Sequence, residues 1–129
     1  MAKIERFEDI EAWQKARELV KEVYDITKLP EFRRDFALQD QIRRSAVSVV
    51  SNIAEGFARR TNKEFVQFLY VAHGSVAEVQ TQLYVALDLG YIARTRFDAL
   101  YNLSCEISKM TMGLIKYLSS SKPSNSPNS

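Results

Sequence analysis

Residues Thr61–Gly90 read TNKEFVQFLYVAHGSVAEVQTQLYVALDLG. Phe65, Leu69, Ala72, Val76, Val79, Leu83 and Leu87 return every three or four positions, the spacing that places them on one side of an α-helix. Thr61 followed by Glu64 has the S/T-x-x-E form that satisfies the free amides of a first helical turn. Gly90 follows the last periodic residues, where a left-handed residue closes a helix. The stretch predicts one long helix over about 62–89. A stripe of that length needs other elements to cover it.

The flanking sequence repeats the pattern. Leu38, Ile42, Ala46, Val49 and Ile53 predict a helix over about 36–57, with Gly56 near its C-terminal end. Further upstream, Ile10, Trp13, Ala16, Val20 and Val23 form a stripe behind the acidic first turn Glu8, Asp9 and Glu11. That helix, about 8–28, ends before Leu29, because Pro30 disfavours helix at the preceding residue. Downstream, Thr95-Arg96-Phe97-Asp98 resembles a cap, and Leu100, Leu103, Ile107, Met110, Leu114 and Tyr117 predict a helix over about 96–118. No segment alternates as a strand does. Four amphipathic helices joined by short connections make an all-α fold, an antiparallel up-down-up-down four-helix bundle in one domain over 1–118. The last stretch, 119–129, is SSSKPSNSPNS, which has too little apolar surface to pack and reads as a flexible tail.

Composition narrows the function. The 129 residues are 46% hydrophobic and 26% charged, with 18 Lys+Arg against 16 Asp+Glu. A single cysteine, Cys105, excludes an internal disulfide and a Cys-rich zinc site. The single histidine, His73, excludes paired Glu-x-x-His motifs and an H-E-x-x-H site within one chain. Neither a phosphate-cradling glycine loop nor a nucleophile elbow is present. The expectation is a protein without catalysis, cofactor or metal. No apolar run reaches the length of a membrane span and no signal peptide is visible, so the expected location is the cytoplasm.

The helix faces carry a surplus. Val47, Val50 and Phe57 in the second helix, and Phe68, Tyr70, Val71 and Tyr84 in the third, exceed what one core stripe uses. Contiguous exposed apolar residues mark an interface, so Val47, Val50, Phe57 and Val71 are the expected subunit contact of a homo-oligomer. Gly74, inside a helix, is expected to permit close approach of a neighbouring helix. Cations gather in pairs: Arg33-Arg34, Arg43-Arg44 and Arg59-Arg60, with Lys63 close behind. Guanidinium forks suit phosphate, which makes Arg43, Arg44, Arg59, Arg60 and Lys63 candidate nucleic-acid contacts. They fall on two surfaces: Arg59, Arg60 and Lys63 at the turn between the second and third helices, and Arg33 and Arg34 at the opposite end, with Arg43 and Arg44 nearer to that end. The other reading is a solvated face, in which Glu55 and Arg59 form an i,i+4 ion pair.

The segments Phe7–Thr27, Gln41–Arg60 and Lys63–Ile92, above all QIRRSAVSVVSNIAEGFARR, resemble the four-helix bundle proteins encoded within intervening sequences of bacterial 23S rRNA genes, also labelled S23 ribosomal proteins. The resemblance implies a left-handed bundle assembled as a homopentameric ring, related to accessory variability proteins of retroelements that bind nucleic acid and a protein partner. The family block falls here on Arg43, Arg44, Ser51, Asn52, Glu55 and Gly56. Asn52 and Glu55 are then expected to fix the loop or the subunit contact by hydrogen bonding. Val50 stands where the family often has Pro, and Ala58 where it has a second Gly. A protein-interaction scaffold with no nucleic-acid role is the alternative.

Overall fold

The computed structural model describes residues 4–120. It contains four helices: α1 (Glu11–Ile26), α2 (Phe36–Phe57), α3 (Asn62–Asp88) and α4 (Arg94–Ser119). There is no strand among the described residues. Beyond Ser120, the stretch read as a tail lies outside them.

Local chemistry sets each boundary. α1 starts later than its acidic turn suggests, because Phe7–Asp9 is a 3₁₀ turn. The Asp9 carboxylate accepts from the amides of Glu5 and Arg6 at 3.2 and 3.1 Å, so it closes the preceding turn instead of opening α1. Asp35 caps α2 by accepting from the Leu38 amide at 3.0 Å. At Thr61 one half of the expected box forms, the hydroxyl accepting from the Glu64 amide at 3.1 Å, while the Glu64 carboxylate accepts from that hydroxyl at 3.1 Å instead of from the Thr61 amide. Gly90 has φ of 75°. The Tyr91 amide bonds Ala86 O at 2.9 Å and the Gly90 amide bonds Leu87 O at 3.0 Å, the paired bonds of a left-handed helix end. The expected cap at Thr95–Asp98 is corrected: α4 begins at Arg94 after an extended Ala93, and Asp98 instead pairs with Arg94 at 3.1 Å.

Contacts run in opposite chain directions between neighbours. Gly56 of α2 meets Phe65 and Phe68 of α3, while Ser48 meets Ser75. Tyr84, Gln80 and His73 of α3 meet Phe97, Ser104 and Ser108 of α4. Glu22 and Lys15 of α1 meet Arg96 and Glu106 of α4, each at 3.6 Å. The α2 stripe is buried as read, from Leu38 through Ile53. In α1 the buried line is Ala12, Ala16, Leu19, Val23 and Ile26, leaving Trp13 and Val20 half-buried at its edge. In α4 it turns toward Thr111 and Ile115, and Tyr117 is exposed. The Thr111 hydroxyl returns to Ile107 O at 3.0 Å and Ser108 O at 2.9 Å, which is how a polar residue is buried there. Gly74 also departs from expectation: it is exposed, and nothing in the subunit lies within 4 Å of a Cβ built there.

One contact ties the loops at one end of the bundle. The Tyr91 hydroxyl donates to Asp35 Oδ2 at 2.9 Å, and the Phe32 and Tyr91 rings lie 5.3 Å apart. That bond to a carboxylate, together with desolvation, raises the phenol above its ordinary value of 10.0. A phenol held protonated in the folded state stabilises fully below its unfolded value, and the contribution fades as pH rises through the folded value. Wild-type protein is therefore expected to lose stability above pH 10.0 more steeply than Tyr91→Phe. Urea melts of both proteins across that range check this, and parallel curves would remove the bond from the account.

Candidate subunit contact and cationic turn

The turn from α2 to α3, Ala58–Thr61, is short because the chain reverses where Gly56 lets α2 close on α3. It carries Arg59 and Arg60, with Lys63 in the first turn of α3, and all three are exposed. The Arg59 guanidinium lies 4.6 Å from the Phe68 ring centroid and bonds Glu55 at 2.9 Å. With side chains 42% and 53% exposed, that i,i+4 pair is worth about 0.3–0.5 kcal/mol and leaves Arg59 easy to recruit.

Arg43 and Arg44 are elsewhere, roughly 20 Å back along α2 at about 1.5 Å of rise per residue. Arg43 faces α1: its Nε donates to Thr27 Oγ1 at 2.9 Å and its guanidinium covers the Tyr24 ring at 4.4 Å. It fastens α2 to the C-terminal end of α1, with Gln39 donating to Thr27 O at 3.1 Å beside it. Arg44 is exposed on another side and pairs with Asp40 at 2.8 Å. The five cations therefore do not make one patch: Arg59, Arg60 and Lys63 come together, and Arg43 and Arg44 separate from them and from each other.

The residues read as an interface also divide. Val47 and Val71 are exposed, by 39% and 52%. Val50 and Phe57 are half-buried against the subunit's own core, Phe57 edge-on to Phe65 with centroids 6.1 Å apart. Phe36, Val85 and Leu89, at or near helix ends and off the helical stripes, are exposed as well, as are Tyr70 and Tyr84, the last with its ring against Phe97 and Tyr101 of α4. Of the family block, Ser51 is exposed. Asn52 Nδ2 donates to Ser48 O at 2.8 Å and Ser48 Oγ at 3.0 Å. Ser48 in turn meets Ser75 Oγ at 2.8 Å, so the block builds a polar seam between α2 and α3.

His73 lies half-buried with Nδ1 3.3 Å from Ser108 Oγ, and Cys105 accepts weakly from Gln80 at 3.7 Å. Among the described residues no three His, Cys, Asp or Glu side chains are grouped to hold a metal ion, and no helix is long and apolar enough to cross a membrane.

Residues 8–113 match the family model of the 23S rRNA-intervening sequence protein. No curated protein matches the chain. A solved structure from Bacteroides thetaiotaomicron, a protein with unknown function from the S23 ribosomal protein family, is similar at 26% identity and a TM-score of 0.77. The similarity covers 81% of this chain and 98% of that one. The chain belongs to the 23S rRNA-intervening sequence protein family.

Proposed function

Proceeding from that membership, we propose that the chain works without catalysis, as the subunit of a homo-oligomeric ring that offers its helix-turn cations to RNA or DNA. The observation that carries the self-association is the uneven distribution of exposed apolar side chains. Phe36, Val47, Tyr70, Val71, Tyr84, Val85 and Leu89 lie on α2 and α3 or at their ends, against Tyr24 on α1 and Tyr117 on α4. An apolar side of this kind is costly to leave in water and is covered by a second subunit. A ring of five is the assembly that the family resemblance implies.

Repetition gives the turn its reach. Five subunits at +2 each carry +10, and weak phosphate contacts at Arg59, Arg60 and Lys63 add when one polyanion spans several turns. Arg59→Ala with Arg60→Ala is expected to weaken binding to labelled structured RNA and duplex DNA alike. It should also reduce the log–log salt slope by about 2 for each turn that the polyanion engages, with oligomer size unchanged. Absence of binding by the wild-type ring even at low salt would make the turn a solvated face. The second reading, a scaffold for a protein partner, draws support from the acids beside Arg44 and Arg59, which offset part of their charge.

A further inference from the structure

Between α2 and α3 runs an open groove of about 450 Å³, walled by Gln41, Arg44, Ser45 and Ser48 on one side and by Glu78 and Gln82 on the other. Most of its polar groups are occupied. Arg44 holds Asp40. Ser45 donates to Gln41 O at 2.9 Å, and Ser48 is 2.8 Å from Ser75. Three side chains are left over, and one of them, the Gln41 amide, is exposed to solvent. The Glu78 carboxylate has no ion pair or hydrogen bond among the described residues. Gln82 Oε1 is the one side-chain polar atom among them that is buried without a partner. A buried acceptor without a donor is destabilising, and native proteins rarely leave one so.

The surroundings say what fills the groove. Val85 lines its continuation along α3, and Gly74 is exposed one turn before Glu78 with no neighbour within 4 Å of its Cβ position. Val71, Gly74, Glu78 and Val85 thus follow one another along the same outer side of α3 that carries the proposed subunit contact. Arg44 on the wall is turned to Asp40, so a further cation with N–H donors suits Glu78 and Gln82 together, and among the described residues Lys63, Arg33 and Arg34 are exposed without an ion partner. We infer that a lysine or arginine of a second copy enters this groove, its charge held by Glu78 and one N–H by Gln82 Oε1. The terminal amide torsion of Gln82 is soft enough to turn the oxygen toward that donor. The inference rests on the self-association reading and adds to it the polar lock that sets the register between copies.

The test is the dissociation constant of the full-length assembly, measured by sedimentation from low to high sodium chloride. Glu78→Gln is expected to loosen the assembly about tenfold, or about 1.4 kcal/mol, and to flatten its salt dependence. Gln82→Met, which keeps the volume and removes the acceptor, loosens it severalfold with helical content unchanged. Glu18→Gln, at an exposed carboxylate on α1 with no partner among the described residues, leaves it unaltered. A Glu78→Gln protein that assembles with wild-type strength and wild-type salt dependence overturns the lock while leaving the ring intact. Wild-type protein that never assembles overturns the self-association reading and the lock with it.

Discussion

Gly56→Val destabilises the subunit by about 3 kcal/mol, although glycine inside a helix is ordinarily the residue to improve. The reason is where the missing Cβ would go. It would lie 2.8 Å from Phe68 Cβ, 2.9 Å from Phe65 Cδ1 and 3.2 Å from Phe65 O. Two of those atoms are tied to the backbone of α3, and the turn Ala58–Thr61 is too short to let α2 move away. The strain also reaches the seat of Arg59 on Phe68, so the cationic turn loosens with the fold. Gly74→Ala, in subunits diluted until they separate, moves the other way and stabilises by about 1 kcal/mol, since open space receives the methyl and alanine favours helix. Urea melts at one fixed protein concentration check both. A Gly56→Val protein as stable as wild type would mean that α2 and α3 do not close on each other there.

The second large effect is on assembly. Val71→Asp places a carboxylate at a position 52% exposed in the subunit, so the fold tolerates it and helical content is unchanged. In the proposed contact the same carboxylate loses its water without gaining a partner, a penalty of several kcal/mol. The expected result is a dissociation constant raised at least about a hundredfold, or about 2.7 kcal/mol. Val50→Asp behaves differently, because Val50 packs against the subunit's own core and its replacement attacks the fold itself. Light scattering reports the mass and circular dichroism the helix. Unchanged mass for Val71→Asp would remove Val71 from the contact.

What could be read from the residues follows the range of the interactions involved. The α2 stripe, the Thr61 cap and the left-handed Gly90 depend on neighbours within a turn or two, and their spacing carries the signal. The Glu55–Arg59 pair is legible for the same reason. The α1 and α4 stripes are displaced because Ala12 and Thr111, one small and one a hydroxyl residue, enter the core beside Leu19 and Ile115, while Trp13 stays at its edge and Tyr117 is exposed.

Longer-range partners left little trace. Tyr91 reaches Asp35 across 56 positions, and Arg43 reaches Thr27 across 16. Nothing in the pair Arg43-Arg44 distinguishes the arginine that fastens two helices from the one that faces solvent. The glycines make the same point. Gly56 and Gly74 are identical as letters, yet one is pressed against two phenylalanines and the other faces empty space. The candidate site is therefore half legible: its cationic turn, and the distance from it to Arg43 and Arg44, follow from the order of helices, while the parting of Arg43 from Arg44 follows only from packing.

The most direct test of the account is the mass of the purified protein in solution, by size exclusion with light scattering across a concentration series. A ring predicts a stable species at five times the 14.8 kDa subunit, with Val71→Asp falling back to one. A wild-type protein that remains at 14.8 kDa at every concentration would contradict it.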